Sequence, residues 1–346
     1  MMKNVGEYTR REILSQPETW AATLNNVQTQ AEAVRDFSRA GRYESVIFTG
    51  CGSTYYLSLA SAALLQEVTG IPARGLPASE IWLYPHSAYL ADRRTLLVAV
   101  SRSGETTETL RACESFLSNS QGSLLTLSCY PGKALTTLGA MNLVFPEGQE
   151  ESIAQTRAFS TLYLATVALA ALWGERHELL AELDHLPEAG RRLMTNYDSL
   201  ARDVGQDATR DRFYFLGSGP RYGLACELSL KMKEMSLSHS EPFHFMEFRH
   251  GPKAMVTPGT LMVALVSEAN RSYEMSVLDD IRALGARVLT LGESAAEVAF
   301  ASNVSEAARN VLYLPVGQLL AFYQSLSRGL DPDRLTNLSA VVKLDV

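Results

Sequence analysis

The feature that most constrains the fold is an apolar strand that runs into a glycine turn and then a helix, and it occurs twice. The first copy reads SVIFTGCGSTYYLSLASAALLQE, and the second reads RFYFLGSGPRYGLACELSLKMKE. Strand-like and helical runs then alternate in both halves, which is typical of a parallel, doubly wound sheet. We therefore predict two α/β domains related by duplication, each with a parallel sheet flanked by helices.

The remaining strand-like runs and the segments between them predict four regions. After the first strand of each half, the runs are TLLVAVS, SLLTLSCY and MNLVFP in the first half and GTLMVALVSE, ARVLTLGE and VLYLPV in the second. The opening residues show the three- and four-residue spacing of helices. We predict N-terminal helices over 1–34, a first domain over 35–190, a second over 200–325, and a tail over 326–346.

Composition excludes several classes of partner and location. The 346 residues carry a net charge of -7, which disfavours a nucleic-acid or anionic-membrane surface. The four cysteines are scattered without CxxC spacing, and the N-terminus has no apolar signal core. LYLATVALAALW is too short to span a bilayer. We expect a cytoplasmic protein with no metal, no organic cofactor, no membrane and no nucleic-acid partner.

The glycine turns by themselves indicate tight geometry rather than a nucleotide site. GCGST (Gly50–Thr54) and GSGPR (Gly217–Arg221) each lie between a strand and a helix. The third glycine of a dinucleotide site is replaced by tyrosine in both, and no Walker-type GKS or GKT occurs. The simpler interpretation is a turn that needs glycine geometry.

The segment SRSGETTET, after TLLVAV, is the stronger signal for a ligand. With a helix beginning near Gly104, backbone N–H groups, hydroxyl groups and an arginine would surround an anion at the carboxyl end of a strand. The hydroxyl residues are Ser101, Ser103, Thr106 and Thr107. A run of this kind favours phosphate binding, although Ser103 could also serve only as a helix N-cap. The comparable second-half segment, SEANRSYEM, has lost the Ser-x-Ser-Gly cluster.

Four motifs in order, GCGST, SRSGETTETL, ELSLKMKEMS and FRHGPKAM, resemble the sugar isomerase (SIS) family. The resemblance extends to the isomerase half of glutamine–fructose-6-phosphate aminotransferase and to stand-alone phosphosugar isomerases, deaminases and deglycases. It implies two flavodoxin-like SIS domains, a homodimer, and a sugar 6-phosphate held by loops of the first domain.

The resemblance also implies roles for individual residues. Glu234 would be the proton-transfer base and His250 the ring-opening group, donated across the dimer interface, while Lys231 would lie near the reacting carbons. The implied substrate-binding residues are Gly52, Ser53, Thr54, Ser101, Arg102, Ser103, Thr106 and Gln155.

Departures from the aminotransferase pattern favour the stand-alone branch. No glutaminase segment precedes the first predicted domain, and the tail NLSAVVKLDV has Ala340 where the family has an imine-forming lysine. Lys343 lies three residues further on and would point to the opposite face of an extended tail. The family's AST-Lys segment reads AQTR, and its phosphate-loop glutamine is Arg102.

These observations predict an enzyme that acts on a hexose or hexosamine 6-phosphate by aldose–ketose isomerisation, with or without ammonia release. Glu227, Lys231 and Glu234 fall at i, i+4 and i+7 on one helix face, which fits a catalytic cluster or merely a surface ion pair. Two alternatives remain. One is a deglycase of a fructosamine-type 6-phosphate, and the other is a non-catalytic phosphosugar sensor.

Overall fold

The computed structural model describes residues 5–344, which form two compact α/β units. Each unit is assembled from separate stretches of chain. The first comprises Glu18–Glu150, Arg157–Asp184 and the described residues from Ser339 onward. The second comprises the described residues up to Pro17, Glu151–Thr156 and His185–Leu338.

The helices and strands follow the predicted alternation. The strands are β1 (Ser45–Gly50), β2 (Ala73–Pro77), β3 (Thr95–Val100), β4 (Ser123–Ser128), β5 (Met141–Val144), β6 (Arg212–Leu216), β7 (His239–Phe243), β8 (Thr260–Leu265), β9 (Arg287–Gly292) and β10 (Val298–Ala299). The α-helices are α1 (Glu7–Leu14), α2 (Gln16–Thr29), α3 (Ala31–Gly41), α4 (Ser53–Thr69), α5 (Ala78–Leu83), α6 (Pro85–Ala88), α7 (Thr107–Asn119), α8 (Arg157–Trp173), α9 (His177–Leu183), α10 (Leu186–Gly205), α11 (Pro220–Ser236), α12 (Arg271–Ala283), α13 (Glu306–Arg309) and α14 (Leu314–Ser327).

Both sheets have the same parallel topology. In the first unit the order is β2-β1-β3-β4-β5, and in the second it is β7-β6-β8-β9-β10. Every neighbouring pair is parallel. Numbered within each unit, this is the 2-1-3-4-5 order of flavodoxin-like folds. The predicted fold class and its internal repeat are therefore confirmed.

The three strands that the sequence pattern did not predict all lie at sheet edges. β2 is an outer strand of the first sheet, and β7 and β10 are the two outer strands of the second sheet. β7 reads HSEPF, and β10 has only two residues. Charged residues, proline and short length are common on edge strands, and they remove the apolar run by which a strand is recognised.

The predicted strand VLYLPV is wrong, because this segment is helical. Residues Asn310–Tyr313 form a 3-10 helix, and α14 follows directly with Pro315 in its first turn. Proline fits there because the first N–H groups of a helix have no intrahelical acceptor. The whole segment is buried, so its apolar run could not distinguish a strand from a buried helix.

The two glycine turns have nearly the same backbone geometry. Gly52 has φ 54° and ψ -122°, and Gly219 has φ 58° and ψ -137°. A Cβ at Gly50 would lie 2.4 Å from Oγ1 of Thr54, and one at Gly217 would lie 2.3 Å from a backbone oxygen of α11. Each turn therefore needs one glycine for close approach to the helix and one for its positive φ.

Helix α1 and the first residue of α2 are fixed to distant parts of the second unit by buried polar contacts. The Glu12 carboxylate, which has no exposed surface, accepts hydrogen bonds from the backbone N–H of Glu151 at 2.6 Å and from that of Ser152. Gln16 Nε2 donates to Gln318 Oε1 at 2.9 Å. Residues near position 12 are thus held in the second unit by residues 139 to 302 positions further along the chain.

Candidate active site

The hydroxyl-rich loop lies at the carboxyl end of β3, as predicted, but its helix begins later than expected. α7 starts at Thr107 instead of near Gly104, and Thr106 is the N-cap residue. Gly104 has φ 67°, and its carbonyl accepts a hydrogen bond from Leu135 N at 3.0 Å. The loop is therefore an extended turn rather than a helix start.

The serines of this loop hold its backbone and leave other N–H groups without acceptors. Ser101 Oγ accepts from Gly104 N at 3.1 Å, and Ser103 Oγ accepts from Glu105 N at 3.2 Å. Ser101 Oγ is also 3.3 Å from Thr106 Oγ1. Within residues 5–344, the backbone N–H groups of Ser103 and Thr106 have no hydrogen-bond acceptor. One short loop thus carries two N–H donors and several hydroxyl groups, which are the groups that bind an anion.

Arg102 supports the loop from inside the unit. Its guanidinium donates from Nη1 to Glu150 Oε2 at 3.1 Å, and the two side chains are 7% and 0% exposed. Nη2 donates to the carbonyl oxygen of Ala340 at 3.0 Å. Glu150 also accepts from Ala158 N at 3.0 Å. The arginine therefore forms a buried ion pair and binds the C-terminal tail.

The tail and Glu105 meet at the start of α7. Leu344 N donates to Thr107 Oγ1 at 3.0 Å. Lys133 and Lys343 lie 3.1 and 3.7 Å from the Glu105 carboxylate, and the hydrogen bond from Lys133 is the main cause that lowers the pKa of this carboxyl. The Glu105 carboxylate, which is the negative charge of the hydroxyl loop, is therefore paired with two lysines.

The first glycine turn brings Ser53 and Thr54 to the start of α4. Thr54 Oγ1 accepts from Cys51 N at 2.9 Å and donates to Cys51 O at 3.0 Å, so this hydroxyl closes the turn. Ser53 is the first helical residue and is buried, while Gly52 is exposed. This turn and the hydroxyl loop follow the adjacent strands β1 and β3 at the same edge of the sheet.

Gln155 lies in the second unit, in the segment that Glu12 holds. Its Oε1 atom is buried and has no hydrogen-bond partner within residues 5–344. The structure therefore places it in a different unit from the hydroxyl loop.

A lysine buried between two glutamates lies on α11. Lys231 Nζ is 3.3 Å from Glu227 Oε1 and also hydrogen-bonds to Glu234. Glu227 and Lys231 have no exposed side-chain surface, whereas Glu234 is 19% exposed. Burial lowers the pKa of Lys231, but the charges of the two glutamates outweigh it and leave the pKa raised. A surface ion pair is thus the wrong interpretation of this helix face.

His250 lies on an exposed loop that is attached to α12. It follows a 3-10 helix, Glu247–Arg249, and precedes Gly251, whose φ is 119°. Arg249 and Lys253 both contact Asp280 Oδ2, at 3.0 and 3.3 Å. The imidazole itself is exposed. Lys253, between the loop and α12, therefore anchors the histidine loop.

Sequence reasoning missed Glu150, the carboxylate that holds Arg102. The two residues are 48 positions apart, and no local spacing signals the pair. Only the need of a buried arginine for a buried carboxylate could have suggested such a partner. Within residues 5–344, no group of three His, Cys, Asp or Glu side chains is arranged to hold a metal ion.

Two flavodoxin-like units, with a hydroxyl loop in one and a buried Glu–Lys–Glu centre in the other, define a class of two-domain α/β proteins. The chain belongs to the SIS domain family, whose model matches residues 42–172 and 208–326.

Similar proteins include enzymes of sugar phosphates. The glutamine–fructose-6-phosphate aminotransferase (isomerizing) of Symbiobacterium thermophilum is 30% identical over all of this chain and 59% of its own length. The enzyme of that name from Methanothermobacter thermautotrophicus is 29% identical over 93% of this chain and 57% of its own length. The chain thus spans less than two thirds of these relatives.

Among solved structures, glucosamine-6-phosphate deaminase from Thermotoga maritima matches with TM-score 0.84 and 28% identity, over 97% of this chain and 100% of that one. Tagatose-6-phosphate ketose/aldose isomerase from Escherichia coli shares the fold, with TM-score 0.85 and 24% identity over 95% of both chains. Between residues 5 and 344, no helix has the length and apolar character needed to cross a membrane.

Proposed function

We propose that this protein is an isomerising deaminase of a hexosamine 6-phosphate, which releases ammonia and a ketose 6-phosphate. The observation that carries the proposal is the Glu234 carboxylate, which is partly exposed and hydrogen-bonded to a fully buried lysine. Similarity to the Thermotoga maritima deaminase along nearly the whole of both chains supports the choice of reaction.

The reaction needs one base that moves a proton between neighbouring carbons. In the open-chain 2-amino aldose, Glu234 removes the proton from C2 and returns it to C1. The nitrogen loses a proton and the C1 oxygen gains one, which leaves a hydroxyl at C1 and an imine at C2. Water then hydrolyses this imine to the ketose and ammonia. Lys231 donates a hydrogen bond to Glu234 and so orients the carboxylate that takes the proton.

The proposed phosphate site is the hydroxyl loop. Its donors are the hydroxyls of Ser101, Ser103 and Thr106, the N–H groups of Ser103 and Thr106, and Ser53 at the start of α4. Arg102 supports this loop through Glu150 and takes no direct part in our proposal. Hydroxyl and N–H donors suit a phosphate dianion because each donates a directed hydrogen bond without requiring a counter-charge.

His250 is proposed to open the sugar ring by moving a proton to the ring oxygen. An imidazole suits this step because its ordinary titration range includes neutral pH. His250 is exposed, and Met246 and Met255, four and five residues away in the sequence, are exposed too, which supports a role at a surface shared with a second copy of the chain. We therefore propose that a homodimer donates His250 across its interface.

The test is a panel of glucosamine, glucose, fructosamine and tagatose 6-phosphates, assayed for ammonia and for ketose in the same reactions. Equal amounts of ammonia and ketose from glucosamine 6-phosphate would support the deaminase. Aldose–ketose exchange without ammonia would replace it with an isomerase, and amine release only from the fructosamine would indicate a deglycase. Tight binding without any turnover would indicate a sensor.

A further inference from the structure

The loop after β8 is the structural counterpart of the hydroxyl loop. Ser101 N donates to Leu127 O of β4 at 3.0 Å, and Val266 N donates to Leu291 O of β9 at 2.9 Å. Because β3 and β8 hold the same place in the two sheet orders, these residues are equivalent. The second loop, residues 266–270, then leads into the 13-residue helix α12.

The backbone of this second loop binds carboxylates of its own unit. Ser267 N donates to Glu274 Oε2 at 2.6 Å. Glu268 N and Ala269 N both donate to Glu306 Oε2, at 3.1 and 3.4 Å. Three successive N–H groups therefore point at negative oxygen atoms, which is the arrangement that binds phosphate in other loops.

A buried arginine completes the same site. Arg221, in the first turn of α11, forms an ion pair with Glu306 and lies 3.9 Å from Glu274 Oε1. The arginine and Glu274 are 5% and 4% exposed, and Arg221 Nε and Glu274 Oε1 have no hydrogen-bond partner within residues 5–344. Burial raises the pKa of Glu274, with a smaller contribution from Glu306.

We infer that the second unit contains a phosphate-sized anion site which the chain fills with its own carboxylates, and that Glu306 is the residue that excludes phosphate from it. Glu306 is the more exposed occupant, with 27% of its side chain accessible. It binds two of the loop N–H groups and the arginine at once, as a phosphate would. The two loops thus share their place in the sheet and backbone N–H donors, but in the second loop carboxylates of the chain occupy these donors.

The experiment uses inorganic phosphate as the probe and Glu306→Ala in the full chain. Removing the carboxylate leaves Arg221 and the loop N–H groups with an open anion site. We expect the thermal midpoint of this variant to rise with the logarithm of phosphate concentration, by about 3–6 °C more than wild type at 100 times the dissociation constant, because only the folded state binds. Sodium chloride at equal ionic strength should not reproduce the rise.

Glu306→Gln is the matched control, because it keeps the volume and a carbonyl acceptor in place and should show no added phosphate effect. Arg221→Gln combined with Glu306→Ala should abolish the gain. Glu306→Ser repeats the test with a smaller change in packing. If neither Glu306→Ala nor Glu306→Ser gains stability from phosphate over wild type, the inference is overturned.

Ser103→Ala, combined with each Glu306 variant, separates this site from the proposed phosphate loop. A phosphate gain that persists in the combined variant belongs to the second loop. If wild type showed no phosphate binding while Glu306→Ala did, the phosphate site of the proposed function would fail and the present inference would stand.

Discussion

Glu234 and Glu227 lie on the same face of α11, yet their surroundings assign them different tasks. Glu227 is completely buried against Lys231, so it can only balance the lysine charge. Glu234 reaches the same lysine but keeps part of its carboxylate accessible. A carboxylate that must take a proton from a substrate carbon needs this partial access, and Glu234 alone of the two has it.

Glu234→Gln should therefore lower kcat by about 10²–10⁴-fold, because a positioned general base contributes that much. The amide fills the same volume and can still accept a hydrogen bond from Lys231, so the thermal midpoint should change little. Glu241→Gln, on an exposed ion pair with His239 in the same unit, is the matched control. Turnover within about tenfold of wild type would remove Glu234 from the role of base.

Lys231→Met tests how much the buried pair of Lys231 and Glu227 contributes to the free energy of unfolding. Removal of one partner of a buried pair typically costs about 3–5 kcal/mol, since Glu227 is left without its counter-charge. Urea denaturation should show this loss of unfolding free energy. The double variant Glu227→Gln with Lys231→Met should be more stable than the single variant Lys231→Met. A less stable double variant would refute a buried charge pair.

The pH dependence of this contribution follows from the raised pKa of Lys231. The folded state holds the lysine proton more tightly than the unfolded chain, in which a lysine has its ordinary pKa of 10.5. The stabilisation is therefore fully present below pH 10.5 and is lost as the pH rises through the folded-state pKa.

The spacing of Glu227, Lys231 and Glu234 predicted that they share a face, but not that the face is buried. Burial depends on which elements cover α11, and that information is spread over the whole second unit. The same holds for Arg102, whose guanidinium reaches Glu150 and Ala340. Motif positions thus indicate candidate residues, whereas the direction of each side chain is set by partners far away in the chain.

Among the elements, the glycine turns had the clearest sequence signal, and the structure explains why. Gly52 and Gly219 share a positive φ with a strongly negative ψ. Few side chains tolerate that combination. The edge strands β2, β7 and β10 had the weakest signal, because each is only partly buried or very short and carries no apolar run.

Gly219→Ala should lower the free energy of unfolding by about 1–3 kcal/mol, although a Cβ there would meet nothing within 4 Å. The cost comes from the backbone angles alone. Gly70→Asn is the control, because Gly70 has φ 74° and ψ -1°, a left-handed conformation that asparagine accepts. Chemical denaturation should rank the two variants in that order, and equal losses would contradict the backbone explanation.

Arg102→Gln should destabilise the first unit by about 3–5 kcal/mol, because Glu150 is 0% exposed and would be buried without its cation. Adding Glu150→Gln should recover part of the loss. Both variants should be compared in urea denaturation with Arg111→Gln, which removes an exposed pair with Glu114 and should cost no more than about 1 kcal/mol. A loss for Arg102→Gln no larger than that for Arg111→Gln would show that the pair adds little.

For the whole molecule, the proposed dimer makes a prediction that no single-chain experiment can test. If His250 acts in the site of a second copy, a dimer of one Glu234→Gln subunit and one His250→Asn subunit has both defects in one site and none in the other. After random exchange of subunits, about a quarter of wild-type activity should return. If His250 acts within its own chain, every site carries a defect and the mixture stays as inactive as its components.

The two units could be anticipated as a repeat, but their exact membership could not. Apolar periodicity identifies strands and helices one at a time, and it carries no information about which distant segment completes a unit. Such completions are the hydrogen bonds from Glu151 N to the Glu12 carboxylate and from Thr9 N to Asp333. Each is made by a single polar side chain, and the sequence around that side chain has no periodic pattern that would signal the contact.

Contacts of this kind also separate folding of the second unit from synthesis of its first residues in time. Gln16 is synthesised 302 residues before its partner Gln318. At about 5–20 residues per second, that interval is on the order of 15–60 seconds. During this time Gln16, the first residue of α2, lacks its partner, and its side chain remains in water. The second unit therefore gains this contact only after Gln318 has been synthesised.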